Sequence, residues 1–129
     1  IFKVIETGEK VTVKMLISST RDINEVILGY TVKDRLGVAV FGENSVSLLH
    51  EPPSIVKGFI YVVFDFYWPE VQPQEYTLTL GIGEGSHPFD HKIQCWAHNV
   101  ASFAAATTPN TYVHGIFNNE LESLELAQL

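Results

Sequence analysis

Apolar and polar residues alternate along most of this chain in short runs, and turn-forming residues separate one run from the next. The alternation is clearest in residues 10–18, 57–67 and 76–82. A period of two is typical of strands with one buried face, whereas an amphipathic helix has a period near 3.6. The pattern predicts an all-β chain, and its many short strands predict an immunoglobulin-like antiparallel β-sandwich.

The remaining chain divides into further expected strands and the segments that join them. The other expected strands are 2–6, 26–34, 38–41, 45–50, 91–103 and 112–117. Residues 83–90 are expected to form a loop and residues 104–110 a flexible connector, while residues 119–129 fit either a short helix or a frayed tail. We expect a β-sandwich over residues 1–103, followed over 104–129 by a connector and a C-terminal strand or tail that is exchanged in a dimer.

A tyrosine at the start of one expected strand resembles a known sandwich feature. Tyr76 follows a Pro-containing corner at 71–75. In immunoglobulin-like sandwiches a tyrosine in such a place donates its hydroxyl hydrogen to the backbone a few residues upstream. The sequence predicts that Tyr76 caps its own preceding loop.

Charge and cysteine content narrow the classes of partner. The 129 residues include eight Lys and Arg against fifteen Asp and Glu, a net charge of −7 at pH 7. Binding to phosphate relies on clustered basic residues, so we expect neither nucleic acid nor an anionic membrane as a partner. Cys95 is the only cysteine, which rules out an intrachain disulfide and favours a reducing compartment. Because the chain opens inside a strand-like run at Ile1, we expect a domain of a longer polypeptide.

Candidate catalytic and metal-binding motifs all have simpler interpretations. The run GIGEG at 81–85 is not followed by a helical pattern, so we interpret it as a turn at a strand end rather than a phosphate loop. His87, His91 and His98 have no spacing that establishes convergence on a metal. Cys95 is in phase with core-facing neighbours, where a thiol behaves as a small apolar group. We therefore expect no catalytic residue, no metal and no cofactor.

One predicted sheet face carries the candidate binding site. If the strands containing Tyr30, Tyr76 and Cys95 pair, their outward positions coincide. Small residues around an indole then make a shallow trough in which a sugar ring can stack and form hydrogen bonds. We expect Trp96 to be the stacking platform and Lys33 to lie at the rim. The expected hydrogen-bonding residues are Gln94, His98, Thr31, Thr77 and Thr79, beside Gly29 and Gly81.

Two readings compete with that site. Trp96 could instead be covered by a loop or by a partner subunit, because amphipathic rings are also enriched at interfaces. Tyr61 and Tyr67 lie on the opposite expected sheet and form a second candidate surface, which suits an interface better than a pocket.

Several segments together carry a family resemblance. They are GYTVKDRLG at 29–37, VFGENS at 40–45, the strand at 64–66, the corner leading to YTL at 76–78, and CWAHNVASF at 95–103. In this order they resemble the C-terminal domain of Wzt-type proteins, the nucleotide-binding subunits of ABC transporters that export bacterial O-antigen polysaccharide. The resemblance covers residues 5–103.

The resemblance implies a function and a setting. It implies a cytoplasmic, non-catalytic β-sandwich that binds the non-reducing end of the O-antigen polysaccharide before export. It also implies an ATPase domain in the same chain, a membrane subunit of the transporter as partner, a position at the inner membrane and a homodimer. Residues 112–117 are then placed to add a strand to the partner's sheet.

The sequence is also compatible with two other classes of function. A dimerisation or scaffold module would bury Tyr61, Tyr67 and Trp96 between chains and bind no ligand. A glycan-acting hydrolase would need two acidic side chains converging on one cleft.

Overall fold

The computed structural model describes residues 3–49, 51–87, 90–106, 112–113, 115–117 and 121–128, with the backbone alone for Lys3, 86–87, 90–96 and 98–100. The elements found there are β1 (Lys3–Glu6), β2 (Lys10–Ser19), β3 (Val26–Asp34), β4 (Ala39–Asn44), α1 (Ser45–Leu48), β5 (Gly58–Tyr67), β6 (Glu75–His87) and β7 (Asp90–Ala106).

The strands form two sheets that face each other. One sheet has five strands in the order β1-β7-β6-β3-β4, and the other pairs β2 with β5. All pairings are antiparallel except that of β1 with β7, which is parallel. The predicted all-β sandwich is confirmed, and the parallel β1 makes the larger sheet mixed.

The core lies between the sheets because each contributes one apolar face. Along β5 every second residue points inward, so that Ile60, Val62, Phe64 and Phe66 face the larger sheet, as the alternation predicts. Trp68, only 2% exposed, forms edge-to-face contacts with Phe41, Tyr76 and Phe103. Edge-to-face packing of aromatic rings adds to the stabilisation from burial alone.

The predicted tyrosine corner is present. The Tyr76 hydroxyl donates a hydrogen bond to the backbone carbonyl of Gln72, and the residue itself is buried. The contact fixes the loop between β5 and β6 against the start of β6, and so sets the register in which β6 enters the sheet.

One expected strand is a helix instead. Residues 45–50 were expected to form an edge strand, but Ser45–Leu48 form α1. Asn44 caps the helix by accepting a hydrogen bond from the Val46 N–H, at 3.0 Å. The Ser45 hydroxyl accepts a hydrogen bond from the Leu28 N–H, just beyond the last β3–β4 pair. Asparagine is a favourable N-cap residue, and here the cap ends β4. His50 lies outside the described residues.

Two long strands replace an expected loop and the start of an expected connector. β6 runs through the glycine-rich segment to His87, because Gly83, Glu84 and Gly85 pair with β7 rather than forming a turn. β7 in turn extends to Ala106, where its end pairs with β1. The expected loop is therefore wrong at 83–87 and 90, and the expected connector is wrong at 104–106, while residues 88–89 lie outside the described part.

The expected strand at 112–117 is not found in its described residues, 112–113 and 115–117. Within them, Phe117 forms a single antiparallel bridge with Val71 of the same chain. Residues 107–111, 114 and 118–120 lie outside the described part, and residues 121–128 are exposed and irregular.

Candidate functional site

The outward face of the larger sheet brings the predicted residues of β3 and β6 together. Opposed residues of an antiparallel pair share a face. Gly29 is opposite Gly81, Thr31 is opposite Thr79, and Lys33 is opposite Thr77. Pairing of β7 with β6 extends the same sheet, as predicted.

A cavity of about 520 Å³ opens on this face across β3, β4 and β6. We call it the trough. It is lined by Ile27, Gly29, Tyr30, Thr31, Ala39, Val40, Phe41, Gly42, Glu43, Asn44, Gly81, Ile82 and Gly83. Its volume is within the range of about 300–1,000 Å³ that is usual for small-molecule sites.

Glycines keep the floor of the trough low. A Cβ atom at Gly42 would lie 2.5 Å from the carbonyl oxygen of Tyr30, and one at Gly29 would lie 3.0 Å from the Cβ of Asn44. No side chain fits at Gly42 without a backbone shift, so β4 approaches β3 closely only because Gly42 is a glycine. A glycine inside a strand is characteristic of positions where another backbone or a ligand approaches closely.

The backbone at the end of β4 forms one wall of the trough, while Glu43, opposite Tyr30, has its side chain on the other face of the sheet. The Glu43 carboxylate accepts hydrogen bonds at the same Oε1 atom from the Ser47 hydroxyl, at 2.6 Å, and from the Asn44 N–H, at 3.0 Å. Asn44 is itself tied to α1 through its cap contact. The hydrogen bonds that start α1 therefore hold this wall in place.

Two pKa values near this wall are shifted for separate reasons. The hydrogen bond from Ser47, and after it the one from the Asn44 N–H, lower the pKa of Glu43. Burial, followed by the nearby Glu43 carboxylate, raises the pKa of Tyr30. Glu43 is thus held ionised at neutral pH and Tyr30 is held neutral.

The predicted contact residues have different positions relative to the trough. Thr31 lines it. Lys33 and Thr77 form the next pair along the same face and lie outside its lining. Thr79 is only 1% exposed and has an interaction of its own, so its hydroxyl does not face an open cavity.

The three predicted residues of β7 are described by their backbone alone. Trp96 is opposite Gly81, directly beside the trough floor. The pairing of Leu78 with Ala101 and of Leu80 with Ala97 leaves three β7 residues, 98–100, opposite Thr79, so His98 lies in a β-bulge. Gln94 lies at a second register shift, between Cys95 and Ile93. The side chains of Gln94, Trp96 and His98 are outside the described part of the structure.

The β4 wall and the Gly83 end of the trough were missed from the sequence. Gly42 and Asn44 fall between the expected strands 38–41 and 45–50, and Gly83 falls in the expected loop at 83–90. Their spacing contained a clue: glycines two residues apart at 81 and 83 continue the period of two of β6. The contribution of Gly42 depends on the β3–β4 register, which shifts between Val32 and Lys33.

A different surface covers the outward side of the two-stranded sheet. We call it the aromatic face. It consists of the exposed side chains of Leu16, Phe59, Tyr61, Val63 and Tyr67. The Thr12 hydroxyl donates a hydrogen bond of 2.6 Å to Asp65 across the strands beside it. Because its apolar side chains are exposed and adjacent, this face has the character of an interaction surface rather than a pocket.

Metal-binding clusters and membrane-spanning helices are both absent from the described ranges. No group of three His, Cys, Asp or Glu residues there is arranged to hold a metal ion. Nor does any helix among those residues have the length and apolar character needed to cross a membrane.

Comparison with known proteins gives a family and a fold. A model of the Wzt C-terminal domain family matches residues 2–118. A solved structure described as the crystal structure of the C-terminal domain of wzt superposes with a TM-score of 0.74 at 19% identity, over 96% of this chain and 73% of that one. At this identity the likeness shows the fold alone. No curated protein matches the chain.

Proposed function

The chain belongs to the Wzt C-terminal domain family, and on that premise we propose that it binds O-antigen polysaccharide, at its non-reducing end, in the trough. The observation that carries the proposal is the trough itself, a cavity of about 520 Å³ with glycines in its floor. A flat ligand can approach the peptide groups there because no side chain stands on them.

The lining of the trough suits a sugar. The exposed glycine backbone of the trough offers open surface for the C–H face of a pyranose ring. Thr31 and Asn44 add a hydroxyl and an amide at its sides. We propose Trp96 as the stacking platform, with Gln94 and His98 as further contacts and Lys33 and Thr77 at the rim. Thr79 is omitted because it is buried.

The described residues that line the trough favour binding of the glycan over its hydrolysis. Glycoside hydrolysis needs two carboxyl groups about 5–10 Å apart. Among the described residues that line the trough, Glu43 alone carries a carboxylate, and its pairing with Tyr30 places that side chain on the other face of the sheet. A hydrolase is therefore the weaker alternative.

We also propose that the domain forms a homodimer. The two copies are held together by pairing of β2 edges rather than by exchange of residues 112–117. An apolar groove of about 540 Å³ opens between the sheets beside β2, lined in part by Met15, Leu80 and Ala97. Among the described strands β2 pairs only with β5, which leaves its other edge free. Because Phe117 contacts Val71 of its own chain, we propose that two copies pair through their β2 edges.

A truncation distinguishes this route from exchange of residues 112–117. The cut belongs after Ala106, because Ala105 is buried and the end of β7 pairs with β1. Our route predicts that the shortened chain stays dimeric in size-exclusion chromatography. If the truncated chain is monomeric, exchange of residues 112–117 is established instead.

The rest of the proposal follows by analogy with the family. We propose an ATPase domain in the same chain, the transporter's membrane subunit as a partner, and a cytoplasmic position at the inner membrane.

Tryptophan fluorescence during titration with O-polysaccharide from the source strain tests the binding proposal. Trp68 is buried in the core, so a saturable change is expected to come from Trp96. A heterologous polysaccharide is the control, and calorimetry covers binding that leaves fluorescence unchanged. Trp96→Ala is expected to abolish binding and to retain the fold by circular dichroism. If neither polysaccharide binds by either method, the domain is a dimerisation module.

A further inference from the structure

The aromatic face exposes more apolar surface than a solvated sheet needs. Phe59 is 79% exposed, and Tyr61, Val63 and Leu16 continue the surface beside it. Large side chains that lie next to one another in this way mark an interaction site more often than isolated exposed ones do. The face lies on the sheet opposite the trough, so it is separate from the proposed glycan site.

The size of this face limits what can cover it. Two paired strands of ten residues span about 33 Å by 10 Å, or roughly 330 Å². A stable interface between folded proteins buries about 800 Å² on each partner. The face is therefore too narrow for a globular partner by itself, and it fits one extended segment.

The charged residues of the aromatic face indicate which kind of segment it can bind. Lys10 and Lys14 stand along the outward edge of β2, whereas Asp65, the acidic residue of the same face, already accepts the Thr12 hydroxyl. In a chain with a net charge of −7, this is a locally basic strip. An acidic segment with exposed apolar side chains is complementary to it.

Such a segment is present in the chain. Residues 121–128 have the sequence LESLELAQ, with two glutamates and no basic residue. Leu121, Leu124 and Leu126 are all strongly exposed, Leu126 at 93%. The segment therefore offers both the leucines and the negative charge that the aromatic face is suited to receive.

The position of Phe117 puts the segment within reach of the face. Phe117 pairs with Val71, four residues beyond the end of β5 at Tyr67. The nine residues from 118 to 126 span up to about 30 Å when extended, close to the length of the face. Because such a short tether gives a millimolar effective concentration, contact within one chain outcompetes contact between chains in dilute solution.

We propose that residues 121–128 dock onto the aromatic face of the same chain, with their leucines on Tyr61 and its neighbours and their glutamates beside Lys10 and Lys14. The structure describes the undocked arrangement, in which both surfaces are open. Docking would cover the face until a partner displaces the segment.

Disulfide trapping in the full 129-residue chain tests this proposal. In a Cys95→Ala background, Tyr61→Cys is combined with Leu124→Cys. The matched control combines Leu36→Cys, at an exposed turn away from the face, with the same Leu124→Cys. We expect an intrachain disulfide to form about tenfold faster in the first pair, since docking raises the local thiol concentration. Adding Glu122→Lys and Glu125→Lys, or raising the salt concentration, should reduce the advantage.

Two outcomes would overturn the proposal. Equal intrachain rates in the two pairs would mean that the segment does not favour the face. Disulfides that form only between chains would mean that the face receives the segment of another copy. All three cysteine substitutions are at exposed positions, so circular dichroism is expected to show an unchanged fold.

Discussion

On the outward side of the five-stranded sheet, glycines at 29, 42 and 81 leave the backbone uncovered, and a cavity of about 520 Å³ lies above them. On the outward side of the two-stranded sheet, large side chains such as Phe59 and Tyr61 stand on the same kind of backbone. Both faces follow a period of two. Alternation decides which residues point outward, whereas the size of their side chains decides whether the sheet leaves room for a cavity or is covered by exposed apolar groups.

Filling the trough is the change with the largest expected effect. Gly81→Leu puts a side chain onto the floor where the ligand is proposed to pack, so we expect affinity for the O-polysaccharide to fall by roughly 100-fold or more. Val63→Leu, a change of similar kind on the opposite face, is the control and should leave affinity unchanged. Calorimetry measures both, and equal affinities for the two variants would contradict the assignment of the site.

The close approach of β4 to β3 predicts the next largest effect. Gly42→Ala forces a Cβ against the carbonyl oxygen of Tyr30, a backbone atom that cannot move without disturbing the pair. We expect a loss of about 2 kcal/mol in the free energy of unfolding. Ser18→Ala, on the exposed face of β2, should change it by less than about 0.5 kcal/mol. Urea denaturation measures both values. Similar losses in the two variants would mean that the approach of β4 to β3 does not require glycine at position 42.

Removing a hydrogen bond on the aromatic face is expected to change the free energy of unfolding much less than Gly42→Ala does. Thr12→Val removes the donor to Asp65 but leaves that carboxylate in contact with water. We expect a loss of about 0.5 kcal/mol in the free energy of unfolding, because solvent replaces the lost partner. A loss of about 2 kcal/mol in urea denaturation would mean that water does not replace Thr12 as the partner of Asp65.

The smallest effect is a pH dependence at the wall of the trough. The pKa of Glu43 is lower in the folded chain than its usual value of 4.5. The ionised Glu43 carboxylate therefore contributes fully to the free energy of unfolding above pH 4.5, and this contribution is lost as pH falls through the pKa of the folded state. Glu43→Gln should be slightly less stable than the parent chain near pH 7, and the difference should shrink near pH 3. An unchanged difference in thermal melts at the two pH values would mean that ionised Glu43 does not stabilise this wall.

Much of the sandwich could be predicted from the sequence, because the strands of its core alternate cleanly. The bounds of β3 were predicted correctly, those of β2 and β5 to within a residue, and the Tyr76 corner was also predicted. These features depend on local patterns of burial and turn chemistry. The parallel pairing of β1 with β7 has no such local pattern, since it joins residues about a hundred positions apart.

The errors have a common physical origin. Glycine was read as a turn residue at 83 and 85, but pairing with β7 keeps both in β6. Asn44 lies outside the expected strands, yet it ends β4, and its cap contact with Val46 starts α1 in place of the strand expected at 45–50. Of the candidate site, Thr31, Gly29 and Gly81 were predicted to share a face and do line the trough. The β4 wall follows from a register that the sequence does not specify.

The most direct test of the central claim is a map of ligand contacts by amide chemical shifts. The ¹⁵N-labelled chain is titrated with cognate O-polysaccharide, and shift changes are assigned to residues. We predict that the largest changes cluster at Gly29, Thr31, Gly42 and Gly81 across the trough, with Phe59 and Tyr61 unaffected. Changes that cluster instead along β5 and leave the trough glycines unchanged would contradict this account.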